Sequence, residues 1–384
     1  MVFDVSNASE PVQLSCVNLA GISAASANEG ESVPVWQRMG LTSDDTIFHL
    51  AVPDICNALN QMIRDAGSSL DTSNANSVLL IVHEDKTAHI WVNGAATSLT
   101  VAFKSPKGPG EPVFSTDIVD IIGIRFPAVD ILPTDRVLYL FRHAWRFGLY
   151  FDFTSDGELD VSKLERQIGQ VYRRIAYYHL YDAIETDTVY STMLAAGWFP
   201  FADLIGDQIS HIISAFKGHQ KIEHAEAAVL KSYDSQYLDR ILNRWMTHPI
   251  MLQKQLIFTS AINAFKNQDY VSTIKIVLTE IEGILCLSYR AKHGKGAKLD
   301  KLLSYISELA SKKTGDSHTL LLSKDFSQYL KRHTFAPSDA RNAIGRAGSR
   351  HSVGHGAAGD DAYTAVRALQ AILTLDQIVF FLRE

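Results

Sequence analysis

Apolar residues follow two different periods along the chain, with the change near residue 160. Upstream, the runs SVLLIVHE, TAHIWVNG, SLTVAFK, DIVDIIGIRF and RVLYLF are short, rich in β-branched and aromatic residues, and separated by Asn-Gly, Pro-Gly and Pro-Thr punctuation, the pattern of strands joined by tight turns. The first 45 residues are rich in Ser, Ala, Asn and Gly; their one apolar run, VQLSCVNLAG, predicts an edge strand among loose connections. A first helix is predicted from Val52 to Ala66, followed by the loop GSSLDTSNANS. Residues 1–155 therefore read as an α+β domain with a mostly antiparallel sheet.

Downstream the apolar spacing lengthens to three and four residues. Leu164, Ile168, Val171, Ile175 and Tyr178 form the stripe of a core-facing helix, and helices are predicted around 202–217 and 224–244, with Pro200 breaking the run because it has no amide to donate. Residues 156–245 form a helical middle region. From 246 to 384 the pattern predicts a separate all-α bundle. Its helices are QKQLIFTSAINAF, VSTIKIVLTEIEGILCLSYR with Ile274, Leu278, Ile281 and Leu285 turned inward, LDKLLSYISELASKK and the shorter SKDFSQYLKR. A last helix is predicted from Ala362 to Leu382, entered through Asp360 and Asp361. Short connections favour antiparallel neighbours.

Composition narrows this picture. With 384 residues, 46% of them hydrophobic and 20% charged, the chain can bury more than one core. We expect no apolar run long enough to cross a bilayer, and the start MVFDVSNASEPVQ lacks the basic and apolar segments of a secretory signal, so the expectation is a cytoplasmic protein with no membrane partner. Cys16, Cys56 and Cys286 are odd in number and far apart, which fits buried thiols and neither a disulfide framework nor a thiolate metal site. A net charge of −6 argues against non-specific nucleic-acid binding, yet between Arg290 and Arg350 thirteen Lys and Arg face only five Asp and Glu. A polyanion would be drawn to that segment.

Several short patterns carry little chemistry. KSPKGPGEP, residues 104–112, lacks the GK[ST] ending of a phosphate loop. The aromatic run FRHAWRFGLYFDF reads as core before it reads as a base-stacking surface. His211, His219 and His224 do not have the spacing of a zinc motif, and no metal is expected. The stretch DARNAIGRAGSRHSVGHG, residues 339–356, is different: it concentrates Arg341, Arg346, Arg350, His351 and His355 with four glycines between two apolar helical segments. Three arginines have a histidine five places on, namely Arg174 with His179, Arg346 with His351 and Arg350 with His355. Only Arg350 is followed by a polar residue and ends on His-Gly just ahead of the final helix.

In that setting RHSVGHG and the bundle from about 246 to 384 resemble the HEPN superfamily, whose signature is Arg, a polar residue, three residues, then His. The resemblance covers the C-terminal third of the chain. It implies a metal-independent endoribonuclease without a cofactor, acting as a homodimer with facing motifs and serving as a toxin or antiviral effector, with an inhibitor or sensor as a further partner. In the alternative it implies a non-catalytic dimeric scaffold for RNA or protein; a nucleotide-sensing regulator is a third class. His355 is the expected general acid or base, Arg350 the phosphate clamp, His351 an orienting group and Glu282 a supporting acid, while Arg341, Arg346, Lys295 and Lys298 are expected to bind RNA. Positions five apart on a straight helix point about 140° away from each other. The pair therefore needs either a bend at Gly354 and Gly356 or a second chain.

Overall fold

The computed structural model describes residues 9–154, 158–314, 319–336, 349–354 and 359–383. They group into two compact units, residues 1–101 with 121–178, and residues 102–120 with 179–384. This differs from the three-part division read from the sequence, because the segment 161–176 packs on the sheet and the insertion 102–120 groups with the helices.

The strands are β1 (Val12–Leu14), β2 (Ile22–Ser23), β3 (Val35–Trp36), β4 (Arg38–Thr42), β5 (Ser77–Val82), β6 (Ala88–Val92), β7 (Ser98–Phe103), β8 (Ile118–Arg125), β9 (Arg136–His143) and β10 (Arg146–Asp152). Six of them make a sheet in the order β1-β6-β5-β9-β10-β4 with antiparallel pairing throughout. The first 45 residues thus supply both edges of the sheet. β2 pairs with β3, and β7 with β8.

Both faces of the sheet are covered, which is why SVLLIV is apolar without alternation. Val78, Leu80, Leu138, Leu140, Leu149 and Phe151 pack with Phe48, Leu59 and Ile63 of helix α1 (Thr46–Asp65). Leu79, Ile81, Val137, Tyr139 and Tyr150 pack with Leu164, Ile168, Val171 and Ile175 of helix α2 (Val161–Ala176). Helix α1 begins earlier than expected because Phe48 and Ala51 extend its buried stripe upstream of Pro53. Helix α2 approaches β8 so closely that a Cβ on Gly169 would lie 2.6 Å from Gly123 Cα. Only a glycine fits there. In the aromatic run, Phe141, Tyr150, Phe151 and Phe153 are core, while Trp145 is exposed at the β9–β10 turn beside the Arg146 guanidinium, 4.2 Å from its ring.

The second unit is helical: α3 (Tyr178–Glu185), α4 (Asp187–Ala195), α5 (Asp207–Phe216), α6 (Ile222–Ser232) and α7 (Ser235–Met246) lead into the segment expected to be a bundle, which opens with α8 (Pro249–Leu252) and α9 (Gln255–Lys266). Then come α10 (Tyr270–His293), α11 (Leu299–Thr314), α12 (Ser323–Tyr329), α13 (Arg350–Gly354) and α14 (Ala365–Leu382). The chain is α+β, with an N-terminal antiparallel sheet and a helical C-terminal region.

Helix α14 is the centre of this unit, packed against α6, α7, α10 and α11, with every residue from Arg367 to Leu382 buried. It starts at Ala365, not Ala362. Thr364 caps it by accepting from the Arg367 amide at 3.1 Å, and Asp360 belongs to a separate 3-10 turn. By length and composition α14 could cross a membrane, which corrects the expectation that no run would; 89% of it is buried inside the fold. The cysteine expectation is corrected too: Cys56 is buried, Cys286 half-buried and Cys16 exposed. Cys16 has a left-handed φ of 60°, in the bend that follows β1.

Candidate functional site

Helix α10 sets the frame of the site. Asp269 caps its start by accepting from the Ser272 amide at 3.0 Å, and Gly294 closes its end in the left-handed conformation, φ 71°. Ile274, Leu278, Ile281 and Leu285 are fully buried, which leaves Glu282, Cys286 and Arg290 at four-residue spacing along an outer ridge. From Glu282 to Arg290 the ridge rises about 12 Å.

Helix α13 packs on α10 and is fixed at both ends of its first turn. Ser349 accepts from the Ser352 amide at 3.3 Å, and its own hydroxyl donates to the Ala336 carbonyl at 2.7 Å. Val353 is buried three residues after Arg350, so the two share the helix face. Arg350 Nη1 meets Glu282 Oε2 at 2.8 Å, with both side chains about 30% exposed. Arg350 Nε is buried without a hydrogen-bond partner among the described residues. Burial and the Glu282 charge push the Cys286 thiol pKa up, while Arg290 and Arg350 pull it down, so all four groups share one local field.

The other expected residues are scattered around this pair or lie beyond it. Lys295 and Lys298 are exposed on the connection between α10 and α11, and His351 is half-buried on α13. His355, Arg341 and Arg346 lie outside the described residues. The basic excess of this segment is partly neutralised. Lys331 pairs with Asp300 at 3.2 Å, Lys312 with Glu308 at 2.5 Å, and Lys313 donates to the Arg383 carbonyl at 2.6 Å. Arg290, Lys292, Lys295, Lys298 and Lys301 remain exposed. The lysines of residues 104–112 serve the fold instead: Lys104 donates to the Asp203 carbonyl at 3.2 Å and Lys107 pairs with Asp117 at 2.8 Å. His211, His219 and His224 form no metal-binding group, and none of three or more such side chains occurs among the described residues.

Two polar clusters in this unit were not foreseen. In the first, Arg244 of α7 bridges Asp203 at 3.1 Å and Asp376 of α14 at 2.7 Å. Tyr233 and Tyr237 donate to Asp203 at 3.0 and 2.9 Å, and Trp245 Nε1 donates to Asp376 at 2.8 Å. Burial alone would lower the Arg244 pKa, but Asp376 and Asp203 together raise it. Burial pushes the Asp376 pKa up while Arg244 holds it down. The legible sign was Asp376 itself, the one acid in a largely apolar helix, which has to be paired if it is buried.

In the second cluster, a π-helical turn at Leu330–Thr334 carries His333. Its ring stacks on Tyr329, centroids 5.1 Å apart and planes 11° apart, and among the described residues neither ring nitrogen has a hydrogen-bond partner. Burial, reinforced by the Arg367 charge, drives its pKa well below that of an ordinary histidine. No periodicity predicts a π turn, so this one was invisible from the chain.

Compared with known proteins, the chain matches no family model, no curated protein and no solved structure.

Proposed function

We propose that the chain is a metal-independent endoribonuclease that cuts single-stranded RNA, with Arg350 and His355 as its catalytic pair. The observation that supports this reading most is the Arg350–Glu282 contact at 2.8 Å. Glu282 occupies one nitrogen of a planar guanidinium and so fixes the plane of the fork, while about a third of the side chain stays open to a phosphate. Arg290 continues the same ridge, and Lys295 and Lys298 follow just beyond the helix end, a basic track for a single strand.

The reaction is attack of an RNA 2′-OH on the adjacent phosphorus, which leaves a cyclic phosphate on one fragment and a 5′-OH on the other. His355 moves the proton, a contribution of about 10²- to 10⁴-fold. Arg350 stabilises the charge gathering on the phosphoryl oxygens. His351 orients one of these groups, and Arg341 and Arg346 add phosphate contacts. A second copy of the chain completes the site, and residues 1–245 regulate or deliver the activity, as suits a cytoplasmic toxin or defence effector.

The test is cleavage of single-stranded RNA in EDTA by the full chain. We expect cyclic-phosphate products from the unaltered protein and none from Arg350→Ala or His355→Ala, with the melting temperature of both variants unchanged. Undiminished cutting by both variants would sink the assignment. A second reading is favoured by the same ion pair: Glu282 neutralises Arg350, as a non-catalytic dimeric scaffold for RNA or protein would tolerate. In that case the protein binds RNA in a salt-sensitive way and yields no cyclic phosphate.

A further inference from the structure

The sheet unit holds a second group of titratable side chains, independent of the ribonuclease reading. β5 and β6 pair with Ile81 opposite His89, and the His83 amide donates to the Thr87 carbonyl at 2.8 Å, so His83 continues the β5 register just past its end. Side chains two apart share a face, which puts His83, His89 and Trp91 on the face that carries Ile81. Asp135, immediately before β9, comes in from the other side of His83, because Val82 pairs with Arg136.

The contacts define the proton positions. The Asp135 side chain is fully buried; its Oδ2 accepts from the Leu132 amide at 2.8 Å and its Oδ1 faces His83 Nδ1 at 2.8 Å. A carboxylate only accepts, so His83 Nδ1 carries the hydrogen and Nε2 presents a lone pair. That lone pair lies 2.9 Å from His89 Nδ1, with the rings nearly perpendicular at 74°. A cavity of about 380 Å³ opens beside His83, lined also by Glu84, Asp85, Leu132, Thr134 and Asp135. Three of those side chains are carboxylates, so the cavity favours a cation.

We propose that His83 Nε2 and His89 Nδ1 form a seat for one divalent transition-metal ion of the zinc or cobalt type, with Asp135 as the positioning residue. Two imidazole nitrogens on one tetrahedral zinc, at bond lengths of 2.0–2.1 Å, stand about 3.3 Å apart, so the pair has to open by only about 0.4 Å. His89 exchanges its Nδ1 hydrogen for one on Nε2, with no net change in its charge. The carboxylate behind His83 is the outer partner that metal-bound imidazoles usually have. No third His, Cys, Asp or Glu completes a preformed set among the described residues. Water takes the remaining positions.

The experiment is a calorimetric titration of Zn²⁺ into the full chain after chelator treatment. We expect one equivalent bound at this seat, affinity reduced at least tenfold in His83→Gln and in His89→Gln, and reduced about tenfold in Asp135→Asn. The histidines elsewhere on the chain make these variants the deciding comparison. Equal binding by the unaltered chain and His89→Gln overturns the proposal. Should a variant fail to fold in EDTA, long-range proton–nitrogen spectra of the unaltered chain decide. His83 Nε2 and His89 Nδ1 have to shift with Zn²⁺, and their remaining fixed while other imidazoles move refutes the seat.

Discussion

Arg244 and Arg350 each meet a carboxylate at nearly the same distance, 2.7 Å and 2.8 Å, in very different surroundings. Arg244 is enclosed by two acids that are themselves bonded to Tyr233, Tyr237 and Trp245, and together these tie α7 and α14 to the segment that carries Asp203. Among the described residues, Arg350 has one acid and one unpartnered nitrogen, and about a third of its side chain is exposed. A saturated buried network has no valence left for a ligand; its role is to hold helices in register. An unsaturated, half-open pair on a short helix is available for chemistry at small cost to the fold.

The comparison can be broken most sharply at Arg244. Arg244→Ala leaves two buried carboxylates without their cation and is expected to cost about 3–5 kcal/mol, measured by urea unfolding. A loss below about 1 kcal/mol, the value of an exposed pair, would mean that water reaches Asp203 and Asp376 and that the contrast fails.

The next largest effect concerns His333. Its folded-state pKa lies below the ordinary 6.5, so its contribution is fully present above pH 6.5 and is lost as pH falls, when the unfolded chain takes up a proton that the buried ring refuses. The slope is at most about 1.4 kcal/mol per pH unit. His333→Phe should flatten that acid-side slope relative to the unaltered protein; an unchanged slope would show that the ring is already solvated.

The smallest effects belong to the open pair. Glu282→Gln should shift stability by less than about 1 kcal/mol, while Arg350→Ala should make single-strand RNA binding less steeply salt-dependent, by about 0.7 in the log–log slope. A stability loss in Glu282→Gln as large as that in Arg244→Ala would put both pairs in one structural class.

The contrast also marks what the chain could reveal in advance. The four inward positions of α10 and four of the five stripe positions read for α2 were legible because a helix repeats its core contacts every three or four residues; the fifth, Tyr178, instead opens α3 and is half-buried. Within the six-stranded sheet, β1, β5, β6 and β9 were legible as apolar runs bounded by turn residues, whereas β4 and β10 were not read as strands. The Arg244 network was not, since its members lie at 203, 244 and 376 and no local period links such distant positions. The start of α14 was misplaced for a related reason: Asp360, Asp361 and Thr364 all have capping side chains, and only tertiary packing selects among them. The Arg350–Glu282 contact was anticipated as a pairing of residue types, while its geometry depended on Ser349 and Val353 anchoring a five-residue helix, which no spacing rule supplies. The His83–His89 pair could have been found from strand register alone, had the Val-His ending of β5 been counted across the turn.

Helix α14 has a consequence for the order in which the protein is made. The Gln377 side chain accepts from the Ala202 amide across 175 residues, and the Gln370 side chain donates to the Ala196 carbonyl across 174. Contacts of such long range slow folding. During translation, α6, α7, α10 and α11 leave the ribosome with the apolar faces that α14 will cover still open to water. A chain that ends just before residue 365 leaves those faces uncovered and is expected to be aggregation-prone.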